Sequence, residues 1–285
     1  MRMSSLTRTL ASAIALATVL PLAGQYPAPE ESAQALVKAA VDHALGDSER
    51  RVPYLYRLDR KLPDRSEARD IVSTRDGLVA RAVSVNGKPL TPEQRALDDQ
   101  RLAKLLADPK EQQKRRLQQE KEAQRVRSMI RALPDAFLYQ HDGTEQSPSG
   151  TLLRLKFLPN PEFDPPTRET LVFKGMEGNI WIHAADRRIV RLEATLVEDV
   201  KLGWGLVATL HKGGRFRLEQ SKLASGRWET SQLTLDFTGR AFLFKSLKIK
   251  QEQSISNVRP VPDNLSLAEG IELLRKQDTE IAEKK

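Results

Sequence analysis

From Thr151 onward the hydrophobic residues of this chain recur with a period of two. Leu153, Leu155 and Phe157 alternate with Arg154 and Lys156, and Val190, Leu192, Ala194 and Leu196 alternate with Arg191, Glu193 and Thr195. The pattern returns at Phe216 and Leu218, at Leu233, Leu235 and Phe237, and at Phe242, Phe244, Leu247 and Ile249 against Lys245, Lys248 and Lys250. Successive side chains of a strand point to opposite faces, so each run predicts a strand wetted on one side and apolar on the other. Gly175, Gly178, Gly203, Gly213, Gly214, Gly226 and Gly239 fall between the runs. Strands so closely spaced leave no room for the crossover helices of parallel pairing. The fold class is therefore α+β with an antiparallel sheet that buries one face, and a Rossmann-type architecture is excluded.

Upstream, the periodicity changes. Leu36, Val37, Ala40, Val41, Ala44 and Leu45 lie on one face of a helix from Ser32 to Leu45, closed by Gly46. Tyr54 to Leu58 reads as a strand, and Ile71 to Thr74 and Leu78 to Val85 as two more joined through Asp76-Gly77, a hairpin signal; Asn86-Gly87 ends this sheet portion. Thr91 is then an N-cap, with Pro92 at the first helical position and Gln94 completing a capping box. Asp108-Pro109 repeats the start signal, which predicts two helices, Pro92 to Ala107 and Pro109 to Ala132. Leu97, Leu102, Leu105 and Leu106 on the first, and Leu117, Val126, Met129, Ile130 and Leu133 on the second, form narrow stripes with charged backs. Each helix is expected to cover one sheet face without being buried all round. Ser266-Leu267-Ala268-Glu269 is another capping box and opens a C-terminal helix, residues 264–280, with Leu267, Ile271 and Leu274 on its apolar side. Pro159 to Pro166 is a loop. No long Gly/Ser or Pro tract divides the chain, so residues 25–285 are expected to form a single domain with 92–132 as a helical insertion.

The N-terminus has the order of a secretory signal. Arg2 and Arg8, with no acid, precede an apolar run from Leu10 to Leu22, and Pro21 falls just before the small residues Ala23 and Gly24. The run is shorter than the roughly 20 residues that span a bilayer, which favours a cleaved peptide over a permanent anchor. Cleavage is expected after Gly24, leaving a periplasmic or secreted protein. The chain has no cysteine, so neither a disulfide framework nor a thiolate metal site exists, and a lipid-modified cysteine is ruled out. The formal charge is +8, of which the leader supplies two positive charges; from Pro92 to Ala132 eleven Lys or Arg face seven Asp or Glu. Mixed signs at helical spacing describe a solvated helix surface, and Lys114, Arg115 and Arg116 within it are candidates for contact with an anionic membrane or a protein partner. Export argues against a nucleic-acid partner.

Catalytic signatures are missing from the sequence. None of His43, His141, His183 and His211 is spaced to put two on one helix face, no serine stands in a nucleophile elbow, and His211-Lys212-Gly213-Gly214 lacks the spacing of a phosphate loop. His183 and His211, with Glu193, Asp186 or Asp199, could meet in the fold as a metal or acid–base site, although an isolated strand histidine is more often structural. Asp98-Asp99 and Glu198-Asp199 are adjacent, so their side chains diverge and glycosidase geometry does not follow. No metal, no cofactor and no enzymatic activity are expected. The aromatic residues Trp181, Trp204, Trp228, Phe173, Phe216, Phe237, Phe242 and Phe244 cluster in the strand region. They serve either an ordinary core or the wall of an apolar cavity.

The hairpin sequence Gly178-Asn179-Ile180-Trp181-Ile182-His183, returning through Asp186-Arg187-Arg188-Ile189-Val190-Arg191-Leu192-Glu193, resembles the superfamily of periplasmic lipoprotein carriers and outer-membrane lipoprotein-sorting proteins, the LolA, LolB and RseB group. Gly203-Trp204-Gly205, Lys212-Gly213-Gly214 and Gly239-Arg240 resemble exported bacterial relatives of that group. The resemblance implies a strongly curved, incomplete β-barrel covered by helices over an apolar cavity that holds a lipid or lipoprotein acyl chain. No lipid-gripping residue of those carriers has a counterpart here. From the strand alternation, Leu192, Leu206, Leu210, Phe216, Leu235, Phe237, Phe242 and Phe244 are the candidate cavity lining. The alternative is an envelope scaffold or sensor with a filled core that acts through its surface.

Overall fold

A computed structural model describes residues 31–49, 52–202, 208–242 and 245–283. The leader with its expected cleavage site lies outside these residues, as do Leu206 and Phe244. The elements in chain order are α1 (Ala33–Glu49), β1 (Tyr54–Lys61), β2 (Ser66–Thr74), β3 (Gly77–Val85), β4 (Lys88–Pro89), α2 (Pro92–Ala107), α3 (Pro109–Ala136), β5 (Phe137–Ser147) and β6 (Gly150–Pro159). A 3-10 helix, Glu169–Gly175, leads into β7 (Met176–His183), β8 (Arg188–Leu196), β9 (Val200–Leu202), β10 (Ala208–Leu210), β11 (Arg215–Lys222), β12 (Trp228–Ala241), β13 (Lys245–Pro260) and α4 (Leu267–Glu283). The described strands form one curved, unclosed antiparallel sheet of thirteen strands in an α+β fold, ordered β4-β3-β2-β1-β13-β12-β11-β8-β7-β6-β5, with β10 on β12 and β9 on β10. No helix among the described residues is long and apolar enough to cross a membrane.

Two cores lie on this sheet. The larger joins Leu36, Val37, Ala40 and Val41 of α1 and Ala132 and Ala136 of α3 to Phe137, Leu155, Phe157, Ile180, Ile182 and Leu196 of the strands. The smaller packs Leu102 and Leu105 of α2 and Leu267, Ile271 and Leu274 of α4 on Leu55, Val72 and Val79.

Several expectations need correction. Gly46 does not close α1, since it lacks the positive φ of a C-cap glycine, and the helix continues to Glu49. An ion pair between Asp47 and Arg188 of β8, 2.8 Å, holds that last turn against the sheet. Asn86-Gly87 does not end the sheet either: with φ of +52° and +72° the pair forms a turn into β4. Helix α3 runs four residues beyond Ala132, through Pro134, because its last four carbonyls find partners outside the helix. Tyr139 Oη donates to Leu133 O at 2.9 Å, the Gln34 amide to Pro134 O, and Asn160 Nδ2 and N donate to Asp135 O and Ala136 O, both at 2.9 Å. The apolar stripe of α3 is only partly used, since Leu117 and Val126 are exposed, as is Leu97 on α2.

The charged helices cover the side of β3 that faces away from β2. The Leu78 N–H donates to Gln119 Oε1 at 2.9 Å, while Leu78 O accepts from Gln119 Nε2 at 3.0 Å and Arg115 Nη2 at 2.9 Å. Arg101 donates to Ala80 O, and the Ala82 N–H donates to Asp98 Oδ2 at 3.2 Å. A primary amide carries one acceptor and one donor group, so Gln119 stands in for the next strand, and groups that would invite another chain are occupied.

Candidate ligand-binding face

Residues directly opposite each other in an antiparallel sheet share a face, and the register here builds two apolar ladders across the sheet. One runs through Leu233, Leu218, Leu192, Ile180 and Leu155, from β12 to β6. The next runs through Leu235, Phe216, Ala194, Gly178, Phe157 and Tyr139, from β12 to β5. This is the inner face, on which the larger core sits. Gly178 is required within it: a Cβ there would lie 1.9 Å from Glu193 O.

Cover over the ladders is uneven. Helix α1 packs on β5 and β8, α3 on β5, and the 3-10 helix on β6 and β9. Helix α4 packs on β2 and β3, against the opposite face, since Val72 and Val79 oppose each other there and Leu55 opposes Val72. Along the ladders Leu192, Phe216, Leu218, Leu233 and Leu235 stay half-buried, so β8, β11 and β12 present an apolar shelf, with half-buried Leu247 of β13 two rungs beyond Leu235. Toward β1 the shelf turns polar. Leu233 opposes Gln253, which opposes Arg60, and Glu67 accepts from Arg69 at 2.9 Å with Arg60 at 3.6 Å.

The candidate residues therefore divide. Leu192, Phe216 and Leu235 belong to the shelf, whereas Leu210 and Phe237, each 8% exposed, are packed into the larger core. Phe242 is not on the shelf at all; it lies 69% exposed at the β12–β13 hairpin. Sequence periodicity missed Leu247's place beside the shelf and the Arg60, Arg69 and Gln253 flank. Lys114 and Arg116 are exposed, but Arg115 is half-buried, tied to Leu78 O, and lowered in pKa by burial.

His183 and His211 are not brought together. His183 opposes Arg188 at the start of β8, whereas His211 follows β10 near Leu196 at its end. Eight residues of strand separate the two levels, about 26 Å at the usual rise. His183 is buried, 5% exposed. Its Nδ1 accepts the Asp186 N–H at 3.0 Å, so Nε2 carries the proton and donates to Ser149 O at 2.7 Å. Asp186 accepts from Lys222 Nζ at 2.6 Å and Trp228 Nε1 at 2.9 Å, and these bonds hold its carboxyl below the usual range. The cluster braces the turn after β7. His211 instead lies 3.2 Å from Asp199, whose carboxylate also accepts the Lys212 N–H at 2.8 Å. Among the described residues no group of three or more His, Asp or Glu is placed to hold a metal ion.

No family model and no curated protein matches the chain. Among solved structures it is similar to a DUF1329 family protein from Desulfovibrio piger ATCC 29098, at 12% identity and a TM-score of 0.28, over 80% of this chain and 92% of that one. It is also similar to a domain from Vibrio parahaemolyticus described as an outer membrane lipoprotein-sorting protein, at 10% identity and a TM-score of 0.26, over 84% of this chain and 99% of that one.

Proposed function

We propose that this is an exported, non-catalytic protein that binds or carries a lipid or another apolar ligand on its inner face. The observation that carries the reading is the shelf of Leu192, Phe216, Leu218, Leu233 and Leu235, half-buried where the two ladders run on from the strand that α1 contacts, β8, to β11 and β12. Covering such a surface is favourable by about 25 cal/mol per Å² of apolar area removed from water, and each buried methylene of an acyl chain adds about 0.8 kcal/mol. A chain lying across the ladders places its polar end toward Arg60, Arg69 and Gln253. The leader directs the protein to the periplasm or outside, and the mature chain begins near Gln25. Native mass spectrometry of protein purified without detergent from a periplasmic fraction tests this: a co-purifying lipid and an N-terminus near Gln25 are expected. Protein that carries no adduct and takes up no acyl probe overturns the carrier reading.

A second reading, a scaffold or sensor acting through its surface, is favoured by one feature. An open groove of about 580 Å³ runs along α3 beside Lys110, Lys114, Leu117, Lys121 and Arg125, with Leu117 exposed among the charges. On this reading the protein sediments with anionic vesicles at low salt and Lys114→Glu with Arg116→Glu abolishes that binding; no sedimentation at low salt overturns it.

A further inference from the structure

We propose that the polar end of the inner face selects an amphiphile with an anionic head group, a carboxylate or a phosphate, which Arg60 and Arg69 bind while its chain lies on the shelf. This rests on the reading of the shelf as an acyl site and adds the chemistry of the head.

The register builds the site. The ladder through Leu192, Leu218 and Leu233 continues without a break to Gln253 of β13, Arg60 of β1 and Glu67 of β2. Residues opposite each other share a face, so these apolar rungs run directly into charged ones. Arg69, two residues from Glu67, lies on the same face and opposes Leu58, which in turn opposes Ile255. From Leu192 to Arg60 is four strand spacings, about 19 Å along the sheet. A chain laid along the rungs meets the two guanidinium groups at its end.

Donors there outnumber acceptors. Glu67 accepts from Arg69 Nη2 at 2.9 Å and lies 3.6 Å from Arg60 Nη1. The Gln253 amide oxygen, in the orientation that satisfies its neighbours, accepts from Arg60 Nε at 3.1 Å and Nη2 at 3.3 Å. A guanidinium presents a planar fork of N–H donors and no acceptor, and Arg69 Nε is buried without a hydrogen-bond partner. The Arg60 and Arg69 side chains are 35% and 40% exposed, so both are reached from solvent. One carboxylate between two guanidinium groups leaves a positive charge. The other acids of these strands, Asp59, Asp70 and Glu252, alternate to the outer face, where Asp70 pairs with Arg57 at 2.8 Å and Glu252 lies 3.6 Å from Lys61. A carboxylate or phosphate brings the missing acceptors, the opposite charge and a shape that matches the fork. A hydroxyl head lacks the charge, and an ammonium head is repelled.

The neutral dye phenylnaphthylamine reports occupancy of the shelf, and dodecyl competitors that differ only in the head report its polar end. At neutral pH, dodecanoate and dodecyl phosphate should displace the dye at about tenfold lower concentration than dodecanol, as a charge-assisted hydrogen bond predicts. Dodecylammonium should do no better than dodecanol. Inorganic phosphate and acetate, which have the head without the chain, should leave dodecanoate binding unchanged at equal ionic strength. Arg60→Gln and Arg69→Gln should each remove most of the anion preference and keep the dye affinity. Lys250→Gln, which removes the same charge from the outer face of β13, should retain the preference. Glu67→Gln should act in the opposite direction and strengthen dodecanoate severalfold, a gain that misfolding does not mimic. Dye uptake with no preference for the anions overturns the head site and leaves the shelf standing. So does a preference that survives Arg60→Gln combined with Arg69→Gln, or one that Glu67→Gln weakens. Inorganic phosphate that blunts dodecanoate binding marks a site for free anions and overturns the assignment to a head group. Protein that takes up no dye, and binds no dodecanoate in equilibrium dialysis, overturns the shelf reading and this proposal with it.

Discussion

The ring of Phe237 lies over the backbone of Gly214, where an added Cβ would stand 2.3 Å from its Cδ1. Gly214 sits before β11 and its carbonyl accepts the Leu196 N–H at 2.8 Å, so the ring clamps β12 over the junction of β8 and β11. Phe237 is thus a packing residue, and the open part of the inner face begins at its neighbour Leu235.

Phe237→Ala should cost about 3–5 kcal/mol, the sum of lost transfer energy and a new void. Gly214→Ala should also destabilise, because the methyl group meets the ring. Urea unfolding of both single variants and the double variant tests the contact directly. With the ring absent the added methyl has space, so the double variant should lose less than the two single losses together. Strict additivity would show that the two residues do not touch.

The shelf residues should behave in the opposite way. Leu235 and Phe216 are already half-exposed, so Leu235→Ser should lower stability by about 1–2 kcal/mol, well below the loss at Phe237. Uptake of a fluorescent fatty-acyl probe should nevertheless fall severalfold, after bound lipid has been stripped to remove its own stabilising effect. Probe uptake lost in Phe237→Ala but retained in Leu235→Ser would place the ligand elsewhere.

The difference between these two residues marks where sequence reading stops. Leu235 and Phe237 have the same period, and alternation assigns both to the same face correctly. It cannot say that Gly214 lies beneath one ring, which is buried, while the other side chain stays half-buried. Local signals served well where one turn decides the outcome: the capping box at Thr91 and Gln94 and that at Ser266 and Glu269 both form. Strand β5 escaped because Gln140, His141, Asp142 and Gly143 interrupt its alternation, and Asp142-Gly143 falls where the β5–β6 register slips. The covering of β3 was equally hidden, since Leu78 and Gln119 are 41 residues apart and a side chain bonded to a distant backbone leaves no periodic trace.

Acid should loosen the turn after β7 through Asp186. Bonds from Lys222 and Trp228 hold this carboxyl below the ordinary range in the folded protein. A depressed folded pKa contributes stability that is fully present above the unfolded value, near 3.9, and is lost as pH falls through the folded value. Unfolding free energy should therefore decline in this acid range, and Asp186→Asn should flatten part of that decline while weakening the protein at neutral pH. Chemical unfolding followed across pH 2 to 7 in both proteins checks the sign, roughly bracketing the unfolded carboxylate value. An identical acid slope in the variant would remove Asp186 from the account.

The last prediction concerns the edge of β3. Gln119 returns both backbone groups of Leu78 to hydrogen bonds, Arg115 adds a second donor to Leu78 O, and Arg101 and Asp98 occupy Ala80 O and the Ala82 N–H. Replacing Gln119 with Leu keeps helix propensity and side-chain bulk but removes both amide bonds. Since Leu78 is exposed, water can replace the lost partners, and the stability change should stay near 1 kcal/mol. The larger effect should be on association. An uncovered strand edge is a template for a second chain, so Gln119→Leu combined with Arg101→Ala should self-associate in sedimentation velocity at concentrations where the parent protein does not. Infrared spectra of the associated species should gain intermolecular β-sheet signal, because the contact is backbone pairing rather than apolar adhesion. A variant that keeps the parent's sedimentation behaviour would mean that α2 and α3 shield β3 by bulk alone, with their polar side chains dispensable.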